Sequence, residues 1–300
     1  MRNLTLRQLR YFDALARHGH FGRAAEASAI SQPALSMQIR DLEESLGTPL
    51  LERSPRSLRL TPFGEAFLTR ARAILRQTEE LEDLARAARA ELAGRLRIGV
   101  IPTVAPYLLP RLIARMTALY PALDLTLRET ITPRLLRDLA EGRLDCALLA
   151  LPVGEPALEE VALFSEAFML VRPAADGGKP VPDRESLREM RLLLLEEGHC
   201  FRDQALSFCA PDTGTGTTTP REMMDGSSLS TLVQMVGAGI GVTLIPEMAV
   251  PVETRSAPVS VAAFPDPQPR RTLGLVWRRT SPLAPQLRQI AEVVREVALR

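Results

Sequence analysis

The chain has 300 residues, 46% of them apolar, a length that fits two or three domains with ordinary cores better than one. Its 37 basic and 36 acidic residues leave a net charge of +1, which excludes a wholly basic nucleic-acid coat but allows local patches. Its start lacks an apolar signal-peptide core and no run approaches ~20 apolar residues, so the expectation is a cytoplasmic chain with no membrane partner.

Leu6, Leu9, Phe12 and Leu15 recur at helical spacing until His18-Gly19-His20 breaks the pattern. Residues 21–27 predict a second short helix, and residues 32–46 a third, with Leu35, Ile39, Leu42 and Leu46 on one face. Ser31 is placed to cap that third helix, Pro33 sits in its first turn, and Gly47 stops it. Residues 50–61 alternate around a turn, as a small two-stranded wing does. Two helices joined by a tight turn and followed by a basic hairpin make a winged helix-turn-helix pattern over residues 1–64. In that stretch nine Arg face six Asp or Glu, an excess of three positive charges. A small bundle with solvated arginines is the other reading of the same residues.

From Pro62 a long helix is predicted. Phe67, Ala71, Ile74, Thr78, Leu81, Ala85, Ala88 and Leu92 follow heptad steps up to Gly94, giving a linker over residues 65–94. Such a seam on a polar helix calls for a partner helix, here a second copy of the chain; packing on its own domain is the alternative.

Strands and helices then alternate in βαβαβ order, which implies a parallel sheet with helical crossovers. A second unit is expected to begin near Ser165, and the last strand and helix return to the first. The result is an α/β domain over residues 95–300. Subdomain I covers about 95–164 and 269–300, subdomain II covers about 165–268, and a ligand-sized cleft lies between them. Gly237-Ala-Gly239-Ile-Gly241 precedes a strand instead of opening a helix, so it reads as a turn and not a nucleotide loop.

Cys200 and Cys209 share one short segment with His199, Arg202 and Asp203. If that segment is a helix, their Cα atoms stand about 13.5 Å apart, whereas a disulfide needs roughly 4.4–6.8 Å. Helix and bridge then exclude each other. Two readings remain open: two buried thiols, or a switching pair whose reactive form is the thiolate. No Cys/His spacing suits a metal and no cofactor is expected.

The residues Phe21-Gly-Arg-Ala-Ala-Glu-Ala27, Ile30-Ser-Gln-Pro-Ala-Leu-Ser36, Leu51-Glu-Arg53 and Leu60-Thr-Pro-Phe-Gly64 resemble the DNA-binding domain of LysR-type transcriptional regulators. The second half resembles the hydrogen-peroxide-sensing OxyR branch of that family. Ile101-Pro-Thr-Val-Ala-Pro-Tyr107, Gly142-Arg-Leu-Asp-Cys146, Glu197-Gly-His-Cys-Phe-Arg-Asp-Gln-Ala205 and Pro269-Arg-Arg-Thr-Leu273 carry the likeness. The resemblance implies a periplasmic-binding-protein-like regulatory domain and a regulator, not an enzyme. It implies that Cys200 reacts with peroxide and Cys209 resolves it, with Thr103, Thr132, His199, Asp203 and Arg271 around the pocket or thiol. Cys146 is implied to be a packed strand thiol. For His199 a polar cap of its loop remains the other role. For Asp203 the choice lies between action on the oxidised intermediate and pairing with Arg202 or Arg271.

Double-stranded DNA is the implied partner of the head. Ser31, Gln32, Pro33 and Ser36 lie at the base-reading end of the third helix, and Arg40, Arg53 and Arg56 suit phosphate or minor groove. A homodimer through the linker, a homotetramer and contact with RNA polymerase are implied as well. Two other functions fit some of these features: a LysR-type regulator answering a metabolite with inert cysteines, and a thiol peroxidase.

Overall fold

The structure is a computed structural model describing residues 4–52, 58–87, 92–209 and 222–299. It divides into two units, Met1–Ala85 and Arg86–Arg300.

In the first unit, α1 (Leu6–His18) begins with a reciprocal cap between Thr5 and Gln8 and ends at Gly19 in the left-handed region. The His20 ring caps α2 (Phe21–Ala27), its Nδ1 accepting the Gly22 N–H at 3.0 Å. Ser31 caps α3 (Gln32–Leu46), and Gly47 ends it. Phe12, Leu15, Ala24, Ala25, Leu35, Ile39, Leu42 and Leu50 close one core across the three helices. The wing is β1 (Leu51–Glu52) paired antiparallel with β2 (Arg59–Leu60). Arg53 and Arg56 lie outside the described residues. Glu43 anchors the wing, accepting the N–H groups of Leu50 at 2.7 Å and Leu51 at 3.0 Å.

The long helix α4 (Pro62–Ala87) starts hard against that wing: a Cβ on Gly64 would lie 2.2 Å from the Leu50 carbonyl oxygen, so only glycine fits. Arg72 ties α4 to α1, its Nε donating to Asp13 at 2.7 Å, and Arg17 pairs with the same carboxylate. The helix does not run to Gly94. Leu92 and Ala93 are not helical, and Gly94 already opens a strand, because its pairing with Leu123 takes the backbone into the sheet. Leu92 packs on the core of the second unit and so leaves the seam, while Ala88 lies outside the described residues. At the other end of the seam, Phe67 is spent on an edge contact with Phe12, and Ala71 is buried. Ile74, Leu81 and Leu84 remain exposed, Leu81 at 66%.

The second unit opens with β3 (Gly94–Val100), α5 (Ala105–Leu119), β4 (Leu123–Glu129), α6 (Thr132–Ala140) and β5 (Cys146–Leu151). These strands are parallel in the order β4-β3-β5, the expected crossover unit. The next strand departs from expectation. β6 (Leu158–Pro173) is one continuous 16-residue strand that runs through Ser165 and changes core there, where the sequence suggested only a strand over 168–171. Its first half sends Leu158 and Leu163 into one core, and its second half sends Phe168, Leu170 and Val171 into another. Glu159 and Glu160, half-buried on it, break the apolar pattern that would have revealed it.

Then follow α7 (Arg184–Glu189), β7 (Arg191–Leu195), α8 (Cys200–Cys209), β8 (Glu222–Gly226), α9 (Leu229–Gly237), β9 (Val242–Pro246), α10 (Val250–Glu253) and β10 (Val259–Ala263). Gly237 to Gly241 is the turn between α9 and β9. β11 (Arg270–Arg278) returns antiparallel between β5 and β6, and α11 (Ala284–Ala298) packs on the first core. Among the described residues no helix is long and apolar enough to cross a membrane.

Candidate functional site

Three turns converge where their strands end. Thr103 follows β3, Thr132 opens α6 after β4, and His199 and Cys200 follow β7. The carboxyl ends of parallel strands are where α/β sheets collect ligands. Here Ile101, Pro102, Thr103, Ile131, Thr132, His199, Cys200 and Phe201 line a small, tightly closed cavity with no room for a water molecule. Gly198 makes the approach to α8 in the left-handed region, with φ +91°, and a Cβ there would meet Ile131 Cδ1 at 2.8 Å.

The polar groups of this cavity are unequally supported. The Thr132 hydroxyl is buried without a hydrogen-bond partner, and so is His199 Nδ1. His199 therefore does not cap its loop through that nitrogen. Burial pushes the His199 pKa down, only partly opposed by Glu196. The Thr103 hydroxyl accepts from Arg271 Nη1 at 2.7 Å. Arg271 does not line the cavity; its guanidinium is locked on Glu166 and Thr103 and lies over the Phe201 ring at 5.2 Å. Asp203 is exposed on α8 and pairs with neither expected arginine. Arg271 is held by Glu166, and Arg202 donates to the Leu195 carbonyl at 2.7 Å and to Asp225.

The cysteines are all free thiols. Cys200 is half-buried at the start of α8 and touches the first core, while Cys209 is buried in the second at its far end. The helix condition is thus met, and the two Cα atoms stand about 13.5 Å apart by helical rise. Burial pushes the Cys209 thiol up to about 11, against the opposing pull of Arg188 and Arg184. The stability carried by its protonated form is fully present below the ordinary value of 9.0 and is lost as pH rises through about 11. Burial beside Asp145 raises the Cys146 thiol as well. Alkylation of the reduced chain at neutral pH should therefore label Cys200 at least about tenfold faster than Cys209. Peptide mapping over time checks this, and equal rates contradict the burial difference.

In the head, Ser31, Gln32, Pro33 and Arg40 are exposed and Ser36 is half-buried. Gln32, Ser36 and Arg40 line an open groove with Leu58 of the wing. Among the described residues no group of His, Cys, Asp and Glu side chains is arranged to hold a metal. Glu166 and Glu43 were not anticipated, and Arg202 was anticipated only as a partner for Asp203. The signal for Glu166 was a single acid inside the run Leu163-Phe-Ser-Glu-Ala-Phe168, which an apolar count passes over.

Residues 6–65 match the bacterial regulatory helix-turn-helix protein, lysR family, and residues 89–299 match the LysR substrate binding domain. The chain belongs to the LysR family of DNA-binding transcriptional regulators. This LysR-type regulator is 46% identical, over 98% of its own length and 95% of the relative's, to a probable hydrogen peroxide-inducible genes activator of Streptomyces viridosporus. It superposes on full-length OxyR of Pseudomonas aeruginosa carrying a cysteine-to-aspartate substitution, at TM-score 0.75 and 36% identity, covering 98% and 96% of the two chains. It also matches a hydrogen-peroxide-bound cysteine-to-serine mutant of Corynebacterium glutamicum OxyR, at TM-score 0.68 and 36% identity, covering 99% and 93%. These likenesses place the LysR-type regulator in the OxyR branch.

Proposed function

We propose that this regulator senses hydrogen peroxide through Cys200 and Cys209 and thereby controls antioxidant genes. The observation that carries the reading is the placement of two free thiols at opposite ends of α8, one in a cavity with two threonine hydroxyls and the other buried. The peroxide named in the relatives' descriptions supports it.

In the first step the Cys200 thiolate attacks one peroxide oxygen. An S–O bond forms, the O–O bond breaks, and the departing hydroxide takes up a proton to become water. In the second, the Cys209 sulfur attacks the Cys200 sulfenic acid. An S–S bond forms, the S–O bond breaks, and a second water leaves; the two thiols lose the two electrons that the peroxide gains. Thr103 and Thr132 hold the peroxide oxygens and His199 offers a donor, while Arg271 acts through Thr103. Asp203 is left for the oxidised intermediate. α8 must unwind to close the bridge, which takes Phe208 away from Phe264 and from the Arg184 guanidinium.

The winged head (residues 1–64) reads DNA. Ser31, Gln32, Pro33 and Ser36 meet base edges, Gln32 pairing with adenine, and Arg40, Arg53 and Arg56 meet phosphates or minor groove. The linker dimerises through α4, two dimers form a tetramer, and the regulatory domain (residues 95–300, subdomains I and II) passes the change to the head and to RNA polymerase. Peptide mapping and DNA footprinting after micromolar peroxide test this reading together. A Cys200–Cys209 bridge with an altered footprint is expected; no bridge and an unchanged footprint reject it.

A further inference from the structure

We infer that Glu166 is a positioning residue for the peroxide reaction, holding Arg271 so that the Thr103 hydroxyl is committed as a donor into the cavity; this rests on the peroxide reading above. Glu166 on β6 and Arg271 on β11 are direct partners in the antiparallel ladder, so backbone register alone sets them face to face. Both are buried, at 5% and 2% exposure. Glu166 Oε1 accepts Arg271 Nε at 2.8 Å and Nη2 at 2.7 Å, and its Oε2 accepts the Met248 N–H at 3.0 Å. Both carboxylate oxygens are therefore engaged, and the carboxylate cannot turn without breaking a buried bond.

The other edge of the guanidinium grips Thr103 twice. Nη1 donates to its hydroxyl oxygen at 2.7 Å and Nη2 to its carbonyl at 3.0 Å. Guanidinium nitrogens only donate, so Thr103 Oγ1 is the acceptor in that bond. Its single O–H must point elsewhere, and the cavity shared with Thr132, His199 and Cys200 is what it lines. Charge develops on the departing hydroxide as the O–O bond breaks, and a donor fixed in advance stabilises that charge without reorganising. Paired with Glu166, Arg271 brings no net charge to the cavity. Its contribution is the orientation of Thr103.

The test uses the full-length chain with Cys209→Ser, which stops oxidation at the sulfenic acid, trapped by a 1,3-diketone and counted by mass spectrometry. Adding Glu166→Gln should slow sulfenylation of Cys200 about tenfold, as should Thr103→Val, the size of one lost hydrogen bond to a developing charge. The two together should be no slower than Thr103→Val alone. Alkylation of Cys200 by iodoacetamide, whose leaving iodide needs no such donor, should stay within about twofold. Peroxide rates at the reference value, additive effects, or equal slowing of alkylation each overturn the inference. If Glu166→Gln fails to fold, Arg271→Lys, which keeps the charge pair and loses the fork on Thr103, carries the same expectations. A reference chain whose Cys200 does not sulfenylate overturns the peroxide reading itself.

Discussion

Replacing Cys200 with serine is expected to abolish the peroxide response, reducing peroxide-driven transcription by more than about 100-fold, because a serine hydroxyl offers no thiolate for attack. The cavity itself should survive. Cys200 is half-buried and makes no hydrogen bond that shapes the site, and serine is close in size. The variant should therefore fold and still bind DNA in its reduced-like state. A reporter assay across a peroxide titration, alongside a gel shift without peroxide, reads both properties. The same variant separates two classes of regulator. Retained induction in Cys200→Ser would mean that a metabolite drives the response and that the cysteines are packing residues. Cys209→Ser should differ in kind: Cys200 still oxidises, but no bridge forms.

The second large effect is expected on α4. Leu81→Glu should convert dimer to monomer and weaken binding to a two-half-site operator by about 100-fold or more. Phe67 and Ala71 are used up within the chain and Leu92 belongs to the second unit, so the free seam is short. Its exposed large apolar residues are Ile74 and Leu81, with Leu84 exposed one position off the seam, and Leu81 is the most exposed of the three. In a symmetric dimer each substitution acts twice. Losing the burial of two leucines costs about 3–6 kcal/mol, before any repulsion between two facing carboxylates, and 2.7 kcal/mol is about a hundredfold in affinity. Sedimentation of the full-length variant measures the effect; an intact dimer contradicts the seam.

Much of this was legible in the residues. The three head helices emerge from periodicity and caps, because Ser31, Gly19 and Gly47 punctuate them as local chemistry dictates. The parallel β4-β3-β5 unit emerges from alternation of strand and helix. What was not legible depends on tertiary pairing. The end of α4 is set by the capture of Gly94 beside Leu123, and β6 is hidden because its glutamates sit at half-buried positions of a strand shared by two cores. At the site, the cysteines, threonines and His199 were nameable from motif. Their weighting was not. Arg271 was expected beside the thiol or paired with Asp203, and only strand register reveals Glu166 opposite it. Asp203 looked like a partner for Arg202, but that arginine turns inward to the Leu195 carbonyl.

An intact α8 and a Cys200–Cys209 bridge cannot coexist. Amide hydrogen exchange across residues 200–209, in the full-length chain before and after one equivalent of peroxide, tests it most directly. Slow exchange is expected in the reduced chain, and loss of protection by at least about tenfold, together with the bridged peptide, after oxidation. A bridged chain whose α8 amides keep their protection would contradict it.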